Sequence, residues 1–152
     1  MNRRQLLGVA GGLLPGLAGC LDSGSAPSTA PDSPTPPSGE FELVDPELKI
    51  EAPPEVRVDD DTVTVRGTVQ YGSSSCGTVK LAHAEYEDSQ DRLDLLIVAA
   101  DNSEDIEVCT DDLVVTGYRA EITVDGRLRR IAATEHHVFG ETYSTTTDLT
   151  DY

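Results

Sequence analysis

Hydrophobic and polar residues alternate along most of the chain after residue 40, and a period of two predicts β-strands. The clearest run is 62–71, in which valines and a tyrosine share one face and polar side chains share the other. Similar runs, separated by Gly, Ser, Asp and Asn clusters, are 41–50, 56–58, 78–86, 93–100, 106–109, 113–124 and 127–139. Seven or eight short strands favour an all-β fold, a single antiparallel β-sandwich of immunoglobulin-like type.

The sharpest local prediction is a β-hairpin at Asp125-Gly126, because both residues tolerate the positive φ that a type I′ turn requires. The strands before and after this turn would then be neighbours in one sheet. In that register Leu128 and Ile131 fall on opposite faces, so we expect a β-bulge between them that returns both to the core.

The chain begins with two arginines, Arg3 and Arg4, and a Gly/Leu/Ala-rich segment that ends Leu-Ala-Gly-Cys at Cys20. The apolar run of 6–21 is shorter than the roughly 20 residues that a membrane-spanning helix needs. We therefore interpret residues 1–19 as a cleaved export signal and Cys20 as the site of a lipid anchor. The alternative is a plain signal peptide, cut nearby, that leaves a free thiol.

The rest of the chain divides by composition into three parts. Residues 20–39 begin with the lipidated cysteine and continue, from 22, with Ser, Pro, Thr, Gly, Ala and Asp, so we expect a disordered linker. Residues 40–143 carry the strand pattern and are expected to form the sandwich domain. Residues 144–152 are predicted to be a polar tail.

Acidic residues dominate the composition. The chain has 28 Asp and Glu against 11 Lys and Arg, a formal charge of -17, and losing Arg3 and Arg4 with the signal makes this -19. Self-repulsion of this size is relieved at molar salt, where the screening length is about 3 Å. An acidic protein of low-salt surroundings or a calcium binder is the alternative. Nucleic acid is excluded as a partner, because its phosphates would be repelled.

The N-terminal residues and the composition together resemble those of haloarchaeal lipoproteins exported by the twin-arginine pathway. The resemblance rests on Arg3 and Arg4, the lipobox ending at Cys20, the linker and the acidic, lysine-poor composition. Asn2 and Leu6 depart from the usual twin-arginine pattern, which leaves Sec export open. The resemblance implies a protein anchored to the cell membrane by lipid on Cys20 and facing the outside, and it carries over no active-site residue.

Two cysteines remain in the exported domain, Cys76 and Cys109. Exported thiols normally oxidise, so we predict a disulfide that ties the loop after the best strand to the end of the short strand 106–109. A redox pair or a metal site is the alternative, although the Cys-x-x-Cys spacing is absent.

Signals for catalysis are weak. Three serines at 73–75 precede His83, but Cys76 stands where the Gly-x-Ser-x-Gly elbow needs its second glycine. A blue-copper site usually needs a methionine, and Met1 would leave with the signal. We therefore predict no enzyme activity and no cofactor.

The leading hypothesis is a non-enzymatic, envelope-associated binding or structural module. Loops at 73–77 and 101–107 would contact an envelope protein or glycan, since binding residues usually lie on loops of a rigid scaffold. The alternative is a small metal-binding protein or metal-dependent enzyme that uses His83, His136 or His137.

Clustered carboxylates offer a further possible cation site. The acidic run 59–61 could hold a hard divalent cation, as could Asp111-Asp112 and Glu104-Asp105, and a solvated acidic turn is the simpler interpretation.

Overall fold

The computed structural model describes residues 37–149, which form two four-stranded β-sheets around one core. The strands are β1 (Ser38–Val44), β2 (Glu55–Asp59), β3 (Thr62–Gly72), β4 (Gly77–Glu87), β5 (Arg92–Asp101), β6 (Leu113–Thr123), β7 (Arg130–His136) and β8 (Thr142–Asp148). The first sheet has the order β1-β6-β3-β2 and the second β4-β5-β7-β8. The expected all-β sandwich is confirmed.

Several expectations fall on residues outside this range. The signal peptide at 1–19, Cys20, the linker as far as residue 36 and the last three residues of the tail lie outside the described residues. Within residues 37–149 the one helical element is a single 3-10 turn at Asp88–Gln90. No helix in this part of the chain is long and apolar enough to cross a membrane.

The core lies between the two sheets and follows the period of two. Each fully buried valine, leucine or isoleucine contributes about 1.5–3 kcal/mol relative to exposure. The buried members are Val63, Val65, Val69, Val79, Tyr86, Leu93, Leu95, Ile97, Tyr118, Ala120, Ile122, Val124, Ile131 and Ala133.

The predicted hairpin at Asp125-Gly126 is wrong. β6 and β7 belong to different sheets, and neither residue of the expected turn has a positive φ. The N–H of Val124 instead donates to the carbonyl of Asp61 in the β2–β3 turn, and the N–H of Arg129 donates to the turn before β5. These bonds hold the segment across the end of the sandwich, so no bulge is needed to bring Leu128 against the core.

The sheets depart in two ways from the expected antiparallel, immunoglobulin-like sandwich, and the segment 124–129 explains the first of them. β7 starts at the same end as β5 and therefore pairs with it in parallel. In the immunoglobulin order the first, second, fourth and fifth strands share a sheet, whereas here β4 and β5 lie opposite β1 and β2.

Three segments differ from the predicted boundaries. β1 begins at Ser38, inside the expected linker, and ends at Val44, well before the expected residue 50. β8 (Thr142–Asp148) lies across the expected domain end at 143 and occupies most of the expected polar tail. It is an edge strand of Thr, Ser and Tyr without hydrophobic alternation, and it pairs only with β7. The run 106–109 forms no strand, because it lies in the long loop between β5 and β6.

The two ends of the sandwich are built differently. We define the tip as the loops 73–76, 102–112 and 137–141, and the entry end as the turns 60–61, 88–91 and 124–129. β1 starts beside the last residue of β6, where Ser38 is paired with Thr123, so the described chain begins at the entry end.

Candidate functional site

The predicted disulfide between Cys76 and Cys109 is confirmed, and it ties two loops of the tip together. Backbone hydrogen bonds reinforce the link. The N–H of Asn102 donates to the carbonyl of Cys76 over 2.6 Å. The N–H of Ser73 donates to the carbonyl of Asp112 over 2.7 Å. The loops 73–76 and 102–112 therefore form one covalently linked unit.

The serines at the tip hold these loops together. The hydroxyls of Ser73 and Ser74 lie 3.0 and 3.2 Å from that of Thr110, whose N–H donates to the hydroxyl of Ser75 over 3.0 Å. Hydrogen bonds from Thr110 and Ser74 hold the pKa of Asp112 below its usual value. No hydrogen bond joins these serines to a histidine in the described chain.

Exposed hydrophobic side chains are concentrated around the tip. Val108 is 81% exposed and Phe139 66% exposed, against 45% for Leu43, the most exposed large hydrophobic residue elsewhere in the described chain. The set at and beside the tip is Ile106, Val108, Leu113, Val115, Val138 and Phe139. This concentration is the main feature that distinguishes the tip from the entry end, and exposed apolar patches often mark interaction sites.

Beneath the tip, three polar side chains are buried between the sheets. The hydroxyl of Tyr118 donates to Oε1 of Glu135 over 2.7 Å, and Oε2 of Glu135 lies 3.8 Å from Nε2 of His137. Neither of these last two atoms has a hydrogen-bond partner. Sequence reasoning missed Glu135, although it follows Ile131 and Ala133 at alternate, inward positions of the strand pattern.

The short β2 explains why β7 places polar groups here. β2 starts at Glu55, which is paired with Arg66. On the edge of the sheet formed by β2, the rest of β3, from Gly67 towards the tip, therefore has no strand beside it. Nδ1 of His137 accepts the N–H of Gln70 over 3.2 Å, and the N–H of Val138 donates to the carbonyl of Gln70 over 3.1 Å. The segment after β7 thus takes over the hydrogen bonds of a missing strand.

These bonds fix the chemistry of the buried groups. Because Nδ1 of His137 accepts a backbone N–H, the neutral ring carries its proton on Nε2, the atom that faces Glu135. Burial raises the pKa of Glu135 to about 7, against the lowering effect of bonds from Tyr118 and the Thr68 N–H. Burial also lowers the pKa of His137.

The three histidines of the metal hypothesis are not brought together as a ligand set. His83 lies on the exposed side of β4, with Nε2 2.9 Å from a carboxylate oxygen of Glu85, and His136 is exposed at the end of β7. No group of three or more His, Cys, Asp or Glu within residues 37–149 is arranged to hold a metal ion. On buried His137, the free nitrogen carries the proton that a metal would have to displace.

The acidic run 59–61 ends β2 with Asp59 and forms the turn to β3 with Asp60 and Asp61. Asp60 adopts a positive φ of 54°, a conformation that aspartate tolerates. The carbonyl of Asp61 accepts the N–H of Val124, so this turn is bonded to the segment that crosses the entry end.

Comparison of the chain with models of protein families, with curated proteins and with solved structures gave no match.

Proposed function

We propose that this protein is a non-enzymatic module of the cell envelope, anchored to the outer face of the membrane by lipid on Cys20, and that its tip binds an envelope protein or glycan. The proposal is supported by the lipobox that ends at Cys20, the Ser/Pro/Thr linker that follows it and the acidic surface. The observation that carries it is that the described chain begins at the entry end, whereas the most exposed hydrophobic side chains lie at the tip.

The geometry suits a tethered binding domain. β3 has 11 residues, so the tip lies about 35 Å from the entry end at the usual rise of a strand. The linker adds at most about 55 Å if it is extended as polyproline. The described chain begins at the entry end, so the tip is not the end of the sandwich at which the linker joins.

The surface charge supports anchoring by lipid and not by protein contact with the membrane. The exported part of the chain has no polybasic segment, and stable attachment otherwise needs two acyl chains. A carboxylate-rich domain on a tether would also be repelled by anionic headgroups, which keeps the tip away from its own membrane.

The first experiment is the intact mass of the native protein, extracted from membranes at molar salt, with and without reduction. We expect the mass of residues 20–152 plus a lipid, and a gain of two hydrogens when the disulfide is reduced. A mass that retains residues 1–19 would contradict both export and anchoring.

The Cys20→Ser variant tests the anchor separately. We expect it to leave the membrane fraction, whereas Ser23→Ala, a change of similar size three residues further on, should stay with the membrane. If Cys20→Ser still fractionates with membranes, another part of the chain provides the attachment.

A further inference from the structure

A pocket of about 320 Å³ opens at the tip beside the disulfide. Its walls are the disulfide, small residues of the strands and the adjoining loop, and the start of the loop after β7. Besides Cys76, Cys109 and Asp101, the lining residues are Gly72, Ser73, Gly77, Ala99, Ala100, His137 and Val138. Asp101 supplies the carboxylate among the lining residues, and one of its oxygens accepts the N–H of Ser103 over 2.8 Å. The lining therefore mixes small apolar groups with polar ones, and Asp101 is its one carboxylate.

The charges around this pocket have one sign. The segments 72–77, 101–113 and 137–142 contain no Lys or Arg and seven carboxyl side chains: Asp101, Glu104, Asp105, Glu107, Asp111, Asp112 and Glu141. Elsewhere in the described chain, arginines form ion pairs with carboxylates, as Arg130 does with Asp148 over 2.6 Å. None of the ion pairs among the described residues includes one of the seven tip carboxylates.

We propose that the tip is a docking surface for a cationic protein segment, and that a lysine or arginine of this partner enters the pocket beside Asp101. A long basic side chain has an apolar stem and a charged head, which matches a pocket that combines small apolar groups, such as Ala99 and Ala100, with one carboxylate. Apolar residues next to it in the partner would cover Val108 and Phe139, the two most exposed hydrophobic side chains. The surrounding carboxylates complement the partner's charge and favour its approach.

This inference deepens the proposed function and rests on its claim that the tip is the binding end. It does not depend on the lipid, so the test uses the full chain carrying Cys20→Ser. If the membrane experiments fail, the docking proposal is unaffected. If the peptide experiments fail, the lipid anchor is unaffected.

The probe is a fluorescent 12-residue peptide of alternating leucine and lysine, with a leucine/glutamate and a serine/lysine peptide of the same length for comparison. Binding is measured by anisotropy in 1 M and 2 M KCl, which suppresses diffuse attraction to an acidic protein. We expect the leucine/lysine peptide to bind and both comparison peptides to bind at least tenfold more weakly.

Variants then locate the site. Asp101→Asn removes one charge from the pocket while its amide oxygen still accepts the Ser103 N–H, and we expect affinity to fall about tenfold. Asp60→Asn removes the same charge at the entry end and should change affinity less than twofold. Equal losses in both variants would mean that the peptide senses only overall charge, and the proposal would be wrong.

The apolar part is tested in the same way. Val108→Ser with Phe139→Ser should weaken binding at least tenfold, whereas Leu43→Ser with Val58→Ser, two exposed changes away from the tip, should not. Coupling of the bound peptide's lysines to carboxylates by a carbodiimide, followed by mass mapping, should label the tip. Labels spread over the whole surface would overturn the proposal.

Two other occupants are outcomes of the same experiment. Binding of neutral dextran that Val108→Ser with Phe139→Ser abolishes, without peptide binding, would replace the cationic segment by a glycan. Self-association of the protein, abolished by Asp101→Asn, would replace it by a second copy of the chain. Either result would overturn the proposal.

Discussion

The buried carboxyl of Glu135 should make folding stability depend on pH in a direction opposite to that of most paired carboxylates. The folded state raises the pKa of Glu135 from its ordinary 4.5 to about 7, chiefly because burial disfavours the charged form. Between these two values the unfolded chain has released this proton and the folded chain still holds it. The folded state therefore binds more protons, and stability falls as pH rises through the window.

The size of this effect follows from the two pKa values. One pKa unit corresponds to about 1.36 kcal/mol, so full ionisation of Glu135 costs the folded state about 3 kcal/mol above pH 7 relative to pH 4.5. His137 contributes with the opposite sign, because its lowered pKa makes the folded state lose stability as pH falls below about 6.5. The Glu135 contribution is therefore measured as a difference between proteins.

The assay compares wild type with Glu135→Gln by urea unfolding in 2 M KCl at pH values from 4.5 to 8.5. Glutamine keeps an oxygen that can accept the Tyr118 hydroxyl, and it cannot ionise. The difference in unfolding free energy between wild type and variant should shift by about 3 kcal/mol across the range, in favour of the variant at high pH. Whatever the variant costs in packing is the same at every pH and leaves this change intact.

A control removes the same charge from the surface. Glu42→Gln on exposed β1 should give a much smaller pH-dependent difference. The reasoning is refuted if the difference for Glu135→Gln varies by less than about 1 kcal/mol over the range, since the folded state would then accommodate the ionised carboxylate at no cost.

Two further predictions concern the packing around Glu135 and the disulfide of the tip. A Cβ on Gly67 would overlap Oε1 of Glu135, so Gly67→Ala should cost about 1–3 kcal/mol in urea unfolding, whereas Gly72→Ala, which meets its nearest neighbour at 3.4 Å, should cost less than half as much. Replacing Cys76 and Cys109 together by alanine opens a loop with a sequence separation of 33. In urea unfolding this should lower the free energy of unfolding by about 3 to 4 kcal/mol. A loss below about 1 kcal/mol would mean that the hydrogen bonds alone hold the tip.

The surface of the tip shows what a local pattern can and cannot predict. The run 106–109 has the apolar residues of a strand, yet it lies in a loop whose position is set by Cys109 and by bonds to the segment 73–76. Its hydrophobic residues therefore point outward, and only the folded structure reveals that Val108 and Phe139 belong to the same end.

The sequence by itself determined the class of the fold, the positions of most strands and the disulfide. Side-chain alternation says which face of a strand is buried, and the two cysteines among residues 37–149, Cys76 and Cys109, leave one intramolecular pairing. The tertiary structure alone decided which strands are neighbours, because alternation does not depend on the partner strand. It placed β6 and β7 in different sheets, recruited β8 as an edge and put Glu135 and His137 beside the part of β3 that β2 is too short to cover. Those outcomes depend on hydrogen bonds between residues far apart in the chain, which no local pattern contains.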